Sequence, residues 1–520
     1  MDVSRIDVSH LTFYYEGSYE NIFEDVSFQI DTDWKLGFIG RNGRGKTTFL
    51  NLLLGKQEYK GNIAKSVEFD YFPYEVQDKT RQTIEVVEEI YPQYEFWELC
   101  REWSYLKGTD DVWFRPFDTL SHGEQTKVLL VVLFLKENRF LLIDEPTNHL
   151  DMETRQTVCD YLKQKKGFIL VSHDRAFLDG CIDHVLSINK SNIEVVAGNF
   201  SSWWENKKRQ DAFELAENEK LKKDITRLSV AARQNGGWAD ESESRKIGKK
   251  SMKNGQKIAR REYLGEKSRK MQSRRKNLER RRDAELEEKF RLLKNIESQE
   301  EIRLVQAKHH KDLLIEAKDL ELCYGTREVC SHISFELHQG DCLVLEGQNG
   351  CGKSTVIKAL LRESQRTQNL EEDSVEEVHR LQGQSEELQR NGKLELASGL
   401  KISYVCQDTS YLQGRLQDYI VQEKVDETLF KQFLRKMDFS RGHFEKRMEE
   451  FSEGQKKKVL LARSLCEQAH VYIWDEPLNF IDIFSRMQLE ELIVKYRPTM
   501  ILVEHDRTFV ERVGTNVVKL

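Results

Sequence analysis

Gly40-Arg41-Asn42-Gly43-Arg44-Gly45-Lys46-Thr47 follows the apolar run Leu36 to Ile39 and opens a helix-like run, Thr47 to Leu54. Glycines at this spacing let backbone N–H groups approach an anion, and the first turn of the following helix points its own unpaired N–H groups at the same place. The stretch reads as a phosphate cradle between a strand and a helix, which places the chain among α/β proteins. Gly347-Gln348-Asn349-Gly350-Cys351-Gly352-Lys353-Ser354 repeats it, after Cys342 to Leu345 and before Ser354 to Leu361. Lys46 and Lys353 are expected on the β- and γ-phosphates of ATP, and Thr47 and Ser354 on Mg²⁺. Thr48 and Thr355 complete the two loops.

Three further features recur in the same order. Leu120 to Gln125 (Leu-Ser-His-Gly-Glu-Gln) matches Phe451 to Gln455 (Phe-Ser-Glu-Gly-Gln). Leu141 to Pro146 matches Tyr472 to Pro477, each ending Asp-Glu-Pro, and Val171 to Asp174 matches Val503 to Asp506. The chain is therefore a duplicated nucleotide-binding cassette. Asp144 and Asp475 end apolar runs, where a carboxylate can complete a Mg²⁺ shell, and Glu145 and Glu476 stand next to them to polarise the attacking water.

The halves are separated by residues 200 to 308, dense in Lys, Arg, Glu and Gln. Leu221, Ile225, Leu228 and Ala232, and later Leu286, Phe290 and Leu293, recur at helical spacing. Gly236, Gly237, Gly248, Gly255 and Gly265 interrupt the pattern, so the segment reads as two long helices folded into an antiparallel hairpin. Each arm of about 40 residues would span about 60 Å. From Arg245 to Arg282 there are 17 Lys or Arg against 3 acidic residues, a net of +14 in a chain of net −7. A spacer has no need to gather like charges at its turn, so the tip, about 245 to 265, is expected to meet a polyanion. Lys246, Lys249, Lys250, Lys253, Lys257, Arg260 and Arg261 suit phosphate contacts without sequence readout, and Tyr263 offers a stacking ring.

The 520 residues, 39% hydrophobic, suffice for two cores. The longest apolar run, Val128 to Leu135, is far short of a membrane span of about 20 residues. Nine scattered cysteines without a CxxC pair exclude a zinc or disulfide framework and point to a reducing compartment. The start of the chain lacks the parts of a signal peptide, and a cytoplasmic protein is expected.

Ser121 to Gln125, with Gly123 and Glu124, and Ser452 to Gln455, with Gly454, resemble the signature loops of ABC ATPases. The resemblance implies that His173 and His505 are switch histidines contacting the γ-phosphate. It further implies that Asp151 and Asp482 couple the cassettes, that Tyr15 and Tyr324 stack on adenine, and that Gln407 touches Mg²⁺ and water. Members of that superfamily assemble their sites head to tail. One site would then pair Lys46 and Glu145 with Ser452 and Gly454, the other Lys353 and Glu476 with Ser121 and Gly123. His122 and Glu453 depart from the usual signature glycine, and Tyr74 stands where the first glutamine loop would have Gln.

Two fused cassettes and a charged linker resemble the ABC-F family. Trp34 to Thr48, Gly167 to Asp179, Asp211 to Lys220, Ala397 to Gln413 and Trp474 to Asp482 are similar to its antibiotic-resistance members in Gram-positive bacteria, above all the Lsa type and more distantly the Vga type. This implies a first ABC domain at 1–199, a linker at 200–308, and a second ABC domain at 309–520 carrying a polar insert at about 364–390. It also implies a monomer that closes on itself with ATP and Mg²⁺ and binds the exit site of the 70S ribosome, its tip passing along P-site tRNA toward 23S rRNA and the drug site. A housekeeping ABC-F translation factor, a transporter ATPase and a DNA-repair ATPase are the alternatives.

Overall fold

The computed structural model describes residues 5–15, 21–136, 138–148, 150–189, 192–214, 216, 219–220, 304, 306–325, 327–368 and 388–520. The chain divides into two compact units, Met1–Trp203 with Glu301–Leu520, and Trp204–Glu300. Of the expected linker, residues 200–214 are helical. The expected hairpin beyond them, its tip with Lys246, Lys249, Lys250, Lys253, Lys257, Arg260, Arg261 and Tyr263, and the greater part of the polar insert lie outside the described residues.

In the first half, six strands lie in the order Glu68–Phe72, Arg139–Asp144, Phe168–Val171, Lys35–Ile39, His184–Asn189, Asn192–Ala197. The first five are parallel and the last pairs antiparallel. In the second half, Ile402–Val405, Val471–Asp475, Met500–Val503, Cys342–Glu346 and Asn516–Lys519 form an all-parallel sheet. The inner strands are buried along their length, as in Phe168–Val171 and Val471–Asp475, because helices cover both faces. Each half adds a three-stranded antiparallel sheet, in the order Phe23–Asp31, Arg5–Phe13, Lys60–Lys65 and Arg327–His338, Leu313–Tyr324, Leu388–Leu396.

This layering positions the phosphate loops. The helix Lys46–Leu53 buries Phe49, Leu50, Leu52 and Leu53. Phe49 meets Phe38 of the parallel sheet at 5.5 Å and Phe23 and Phe28 of the antiparallel sheet at 6.1 and 5.7 Å between ring centroids. Burying such a ring contributes about 1.5–3 kcal/mol, and here it clamps the helix start between two sheets. The counterpart helix runs Lys353–Gln368, longer than the run to Leu361 expected from sequence. Parallel strands present ligands at their carboxyl ends. Ile39, Asp144, Val171 and Phe72 end four of them on one edge, as Glu346, Asp475, Val503 and Val405 do in the other half.

Candidate active sites

Each phosphate loop is held in shape by its lysine. Lys46 Nζ donates to the carbonyls of Gly40 (2.7 Å) and Arg41 (3.4 Å) and to Asn42 Oδ1 (3.3 Å). Lys353 Nζ donates to the carbonyls of Gly347 and Gln348, both at 2.8 Å. Gly45 and Gly352 take φ of 94° and 104°, a left-handed conformation that side chains resist, and a Cβ there would lie 2.5 Å from Ile22 Cγ2 or 2.9 Å from Val329 Cγ1. Gly43 and Gly350 also have positive φ. The Thr47 hydroxyl stands beside Asp144 and the Ser354 hydroxyl beside Asp475, each opposing the rise in carboxyl pKa that burial causes. Asp475 Oδ1 is buried with no hydrogen-bond partner. A hydroxyl and one carboxylate beside a phosphate cradle are a donor set that Mg²⁺ takes, since it keeps waters and phosphate oxygens for the rest of its shell. No cluster of three or more His, Cys, Asp or Glu suited to a metal occurs among the described residues.

Glu145 and Glu476 both sit in the left-handed region, φ 50° and 47°. Such a backbone costs about 1–3 kcal/mol at a non-glycine residue, and it recurs at the matching place in both halves. Their surroundings differ. His173 Nε2 lies 3.1 Å from Glu145 Oε1, but neither oxygen of Glu145 forms a hydrogen bond. Burial, with Asp144 alongside, pushes its pKa up to about 8 against the opposing charge of Lys46. Burial also holds the His173 imidazole well below its usual range, with Lys46 and Arg486 adding to the effect. Glu476 Oε2 accepts from Gln407 Nε2 (2.8 Å) and Asn479 Nδ2 (2.7 Å), and His505 Nε2 is 3.6 Å from Oε1. Burial alone would raise Glu476, but His505, Lys353 and Asn479 outweigh it and hold the carboxyl below its ordinary value.

The glutamine-loop positions diverge in the same sense. Gln407 reaches Glu476. Tyr74 instead donates to Asp70 Oδ2 (2.8 Å), and it is Tyr71, on the strand Glu68–Phe72, whose hydroxyl donates to Asp144 Oδ2 at 3.0 Å. Tyr71 was not among the residues expected from sequence. Its position one residue before a strand end, in the strand bonded to the one that carries Asp144, is the signal that could have found it.

The signature loops are helix caps. Ser121 Oγ accepts from Glu124 N (3.2 Å) and Glu124 Oε2 from Ser121 N (2.8 Å). Ser452 Oγ accepts from Gln455 N (3.3 Å) and Gln455 Oε1 from Ser452 N (3.1 Å). These reciprocal bonds aim the N-termini of His122–Leu135 and Glu453–Cys466 outward. Gln125 turns away, donating to the carbonyls of Phe117 (2.9 Å) and Leu120 (3.1 Å). Asp151 and Asp482 cap the next helices through Thr154 N and Ser485 N.

The two halves complete each other's loops. Asn42 Nδ2 donates to the Phe480 carbonyl (2.9 Å), and Arg44 and Arg41 approach Asp438 at 3.3 and 3.6 Å. A Cβ on Gly454 would lie 2.4 Å from the Phe480 carbonyl oxygen and 3.1 Å from Asn42 Nδ2, so the second signature faces the first phosphate loop. At the other site a cavity of about 510 Å³ is lined by Asn349, Gly350, Lys353, Ser354, Thr355, Gln407, Glu476 and His505, with His122 and Arg155 entering from the first half. Of the opposed pairing expected from sequence, Gly454 meets Asn42 at the first site and His122 of the first signature lines the second cavity, whereas Ser121 and Gly123 do not line it. Tyr15 is 43% exposed and its hydroxyl lies 2.8 Å from Thr48 Oγ1, at the edge of the first loop. Tyr324 ends the strand Leu313–Tyr324 and does not line the second cavity.

The sequence pattern of the ABC transporter family matches residues 23–148 and 330–479, together just over half of the chain. The chain is 25% identical over 508 residues to the ribosome protection protein VmlR of Bacillus subtilis (strain 168), covering 96% of this chain and 84% of that one. It is 24% identical over 554 residues to the energy-dependent translational throttle protein EttA of Haemophilus influenzae, covering 96% and 88%. Among solved structures, the archaeal ribosome recycling factor aABCE1, in complex with ribosomal stalk protein aP1, superposes with a TM-score of 0.59 at 16% identity, covering 98% of this chain and 87% of that one.

Proposed function

The chain belongs to the ABC transporter family, as an ATPase of the ABC-F group, and we propose that it binds the ribosome with ATP held between its cassettes and leaves when the ATP is hydrolysed. ATP supplies the γ-phosphoryl group that water attacks, with ADP as the leaving group, and Mg²⁺ would neutralise the charge on the phosphate oxygens. Lys46 and Lys353 would bind the terminal phosphates, and Thr47 with Asp144 and Ser354 with Asp475 would hold the cation. Glu145 and Glu476 take the proton of the attacking water, and His173 and His505 contact the γ-phosphate.

The finer reading is protection of the peptidyl-transferase centre against lincosamide, pleuromutilin and streptogramin A drugs. The protein binds the exit site of the 70S ribosome, and its tip runs along P-site tRNA to 23S rRNA. The observation that carries this reading is the joining of two mutually completing cassettes to a segment of net +14. A transporter subunit has no use for such a segment, and among the described residues no helix is long and apolar enough to cross a membrane. The similarity to VmlR, a ribosome protection protein, supports the reading, and that to EttA, a translational throttle protein, favours a second one, a translation factor without a drug.

Co-sedimentation of the Glu145→Gln, Glu476→Gln double variant with 70S ribosomes tests the first part. ATP-dependent pelleting that weakens as salt rises is expected, because phosphate contacts release counterions. Absence of pelleting with ATP binding intact overturns it. Growth of a sensitive strain expressing the chain, with and without a lincosamide or a pleuromutilin, separates drug protection from the translation-factor reading.

A further inference from the structure

We propose that Arg155 is a positioning residue that couples the two ATP sites, because one guanidinium holds the switch loop of each. Arg155 lies one turn into the helix Met152–Lys163 and is 8% exposed. Its Nε donates to the Leu150 carbonyl at 2.9 Å, which fixes the guanidinium plane. Its Nη1 donates at 3.1 Å to Asp174 Oδ2, next to the switch histidine His173 of its own half. The same Nη1 donates at 3.1 Å to the backbone carbonyl of His505, the switch histidine of the other half. Arg155 also lines the second cavity, where the His505 side chain faces Lys353 and Glu476.

The duplication supplies an internal control. Arg486 occupies the same place in the helix Ile483–Tyr496, donating through Nε to the Ile481 carbonyl (2.8 Å) and through Nη1 to Asp506 Oδ2 (3.2 Å). It forms no bond to the His173 carbonyl among the described residues. The cross-cassette bond therefore runs in one direction. The His505 peptide is gripped on its other side as well. Glu504, 2% exposed, accepts the His505 N–H through Oε1 at 2.8 Å and the Leu478 N–H through Oε2 at 3.2 Å. At the matching place in the first half a serine stands, Ser172, bonded to the Thr147 hydroxyl at 3.1 Å. The second switch is thus held between two charged side chains, one of them from the opposite cassette.

A phosphate drawn into the first site engages His173, and any shift of the adjoining Asp174 is felt by Arg155. Buried and bonded to both loops, Arg155 passes the shift to the His505 backbone and hence to its ring. Coupling of this kind requires two sites and a shared element with which both interact, and it is reciprocal in binding. Arginine suits the place because its fork can hold several acceptors in a fixed plane, whereas lysine offers a single point charge.

The inference rests on the two-site reading proposed above. The test uses the full chain carrying Glu145→Gln and Glu476→Gln, so that ATP is held and not consumed, and measures ATP binding by calorimetry. Two nucleotides per chain are expected. Blocking the first site with Lys46→Ala should weaken ATP binding at the second by about fivefold or more, the lower end of typical couplings. In the Arg155→Lys background the same Lys46→Ala change should leave the second site's affinity within about twofold, while Arg486→Lys keeps the full coupling. Two nucleotides with an undiminished effect of Lys46→Ala in Arg155→Lys overturn the role of Arg155 alone. Equal loss in Arg486→Lys assigns the coupling to the surrounding charges and also overturns it. A stoichiometry of one in the parent chain overturns the two-site reading itself.

Discussion

Asn42 in the first phosphate loop donates to the carbonyl oxygen of Phe480 in the second cassette at 2.9 Å, and Gly454 sits directly against that bond. The contact explains why the second signature has glycine there. Gly454→Ala places a methyl 2.4 Å from the Phe480 oxygen. Loss of at least about 1.4 kcal/mol of closure, a tenfold fall in ATP turnover, is expected. Thermal stability should fall as well, because Phe480 belongs to the same half as Gly454 and its backbone must move to admit the methyl, which outweighs the gain of about 0.5–1 kcal/mol from alanine as a helix former. Gly123→Ala meets nothing nearer than Thr154 Cγ2 at 3.4 Å and should change turnover far less. Steady-state ATPase assays and melting curves of the two variants decide the point, and equal turnover in both would refute it.

Tyr71→Phe removes the hydroxyl that donates to Asp144 Oδ2. A hydrogen bond of this kind is worth about 0.5–1.5 kcal/mol, so the Mg²⁺ concentration needed for half-maximal ATP binding at the first site should rise about two- to tenfold. Titration in a Lys353→Ala background isolates that site. Tyr74→Phe, whose partner is Asp70, should leave the requirement unchanged.

Asn479→Leu takes away one of the two donors on Glu476 Oε2. With Glu145→Gln silencing the first site, the remaining turnover should fall about tenfold or more, on the scale of one hydrogen bond to a charged group. The matching residue in the first half, Asn148, forms no side-chain bond to Glu145. Asn148→Leu in a Glu476→Gln background is therefore expected to keep turnover within about twofold, less than the loss of one such bond.

Asp482 is fully buried, and burial alone would raise its pKa. Lys458 at 2.7 Å, with His173 from the other half, outweighs burial and holds it below the ordinary carboxylate value. A depressed carboxylate contributes stability that is present above its unfolded value of about 3.9 and is lost as pH falls through the folded one. Asp482→Asn should lower stability near neutrality by about 3–5 kcal/mol, since it strands a buried ammonium. It should also flatten the loss of stability as pH falls below about 4, toward the depressed folded value. Melting temperatures of both proteins at pH 7, at about pH 4 and at about pH 2.5 measure it, and parallel losses below about pH 4 would contradict it.

Most of the two sites was legible because their chemistry is local. Gly40 to Thr47 must be a cradle wherever it occurs, and the duplication confirmed each element by its twin. What could not be read depends on which strands and helices become neighbours. Tyr71 reaches Asp144 only because Glu68–Phe72 pairs with Arg139–Asp144. Arg155 gains its second acceptor only from the other half, although its spacing of four from Asp151, repeated by Arg486 and Asp482, was visible in the sequence. The positive φ at Glu145 and Glu476 left no trace in residue type, since glutamate has no preference for that conformation.

Because each site is finished by the opposite half of the same polypeptide, the supply of the missing half does not depend on how many molecules are present. Covalent linkage sets an effective concentration that is about millimolar for short flexible linkers and falls with length. Turnover per molecule should then stay constant on dilution to nanomolar protein. Two separately expressed halves should instead lose turnover on the same dilution, which measures what the covalent linkage contributes.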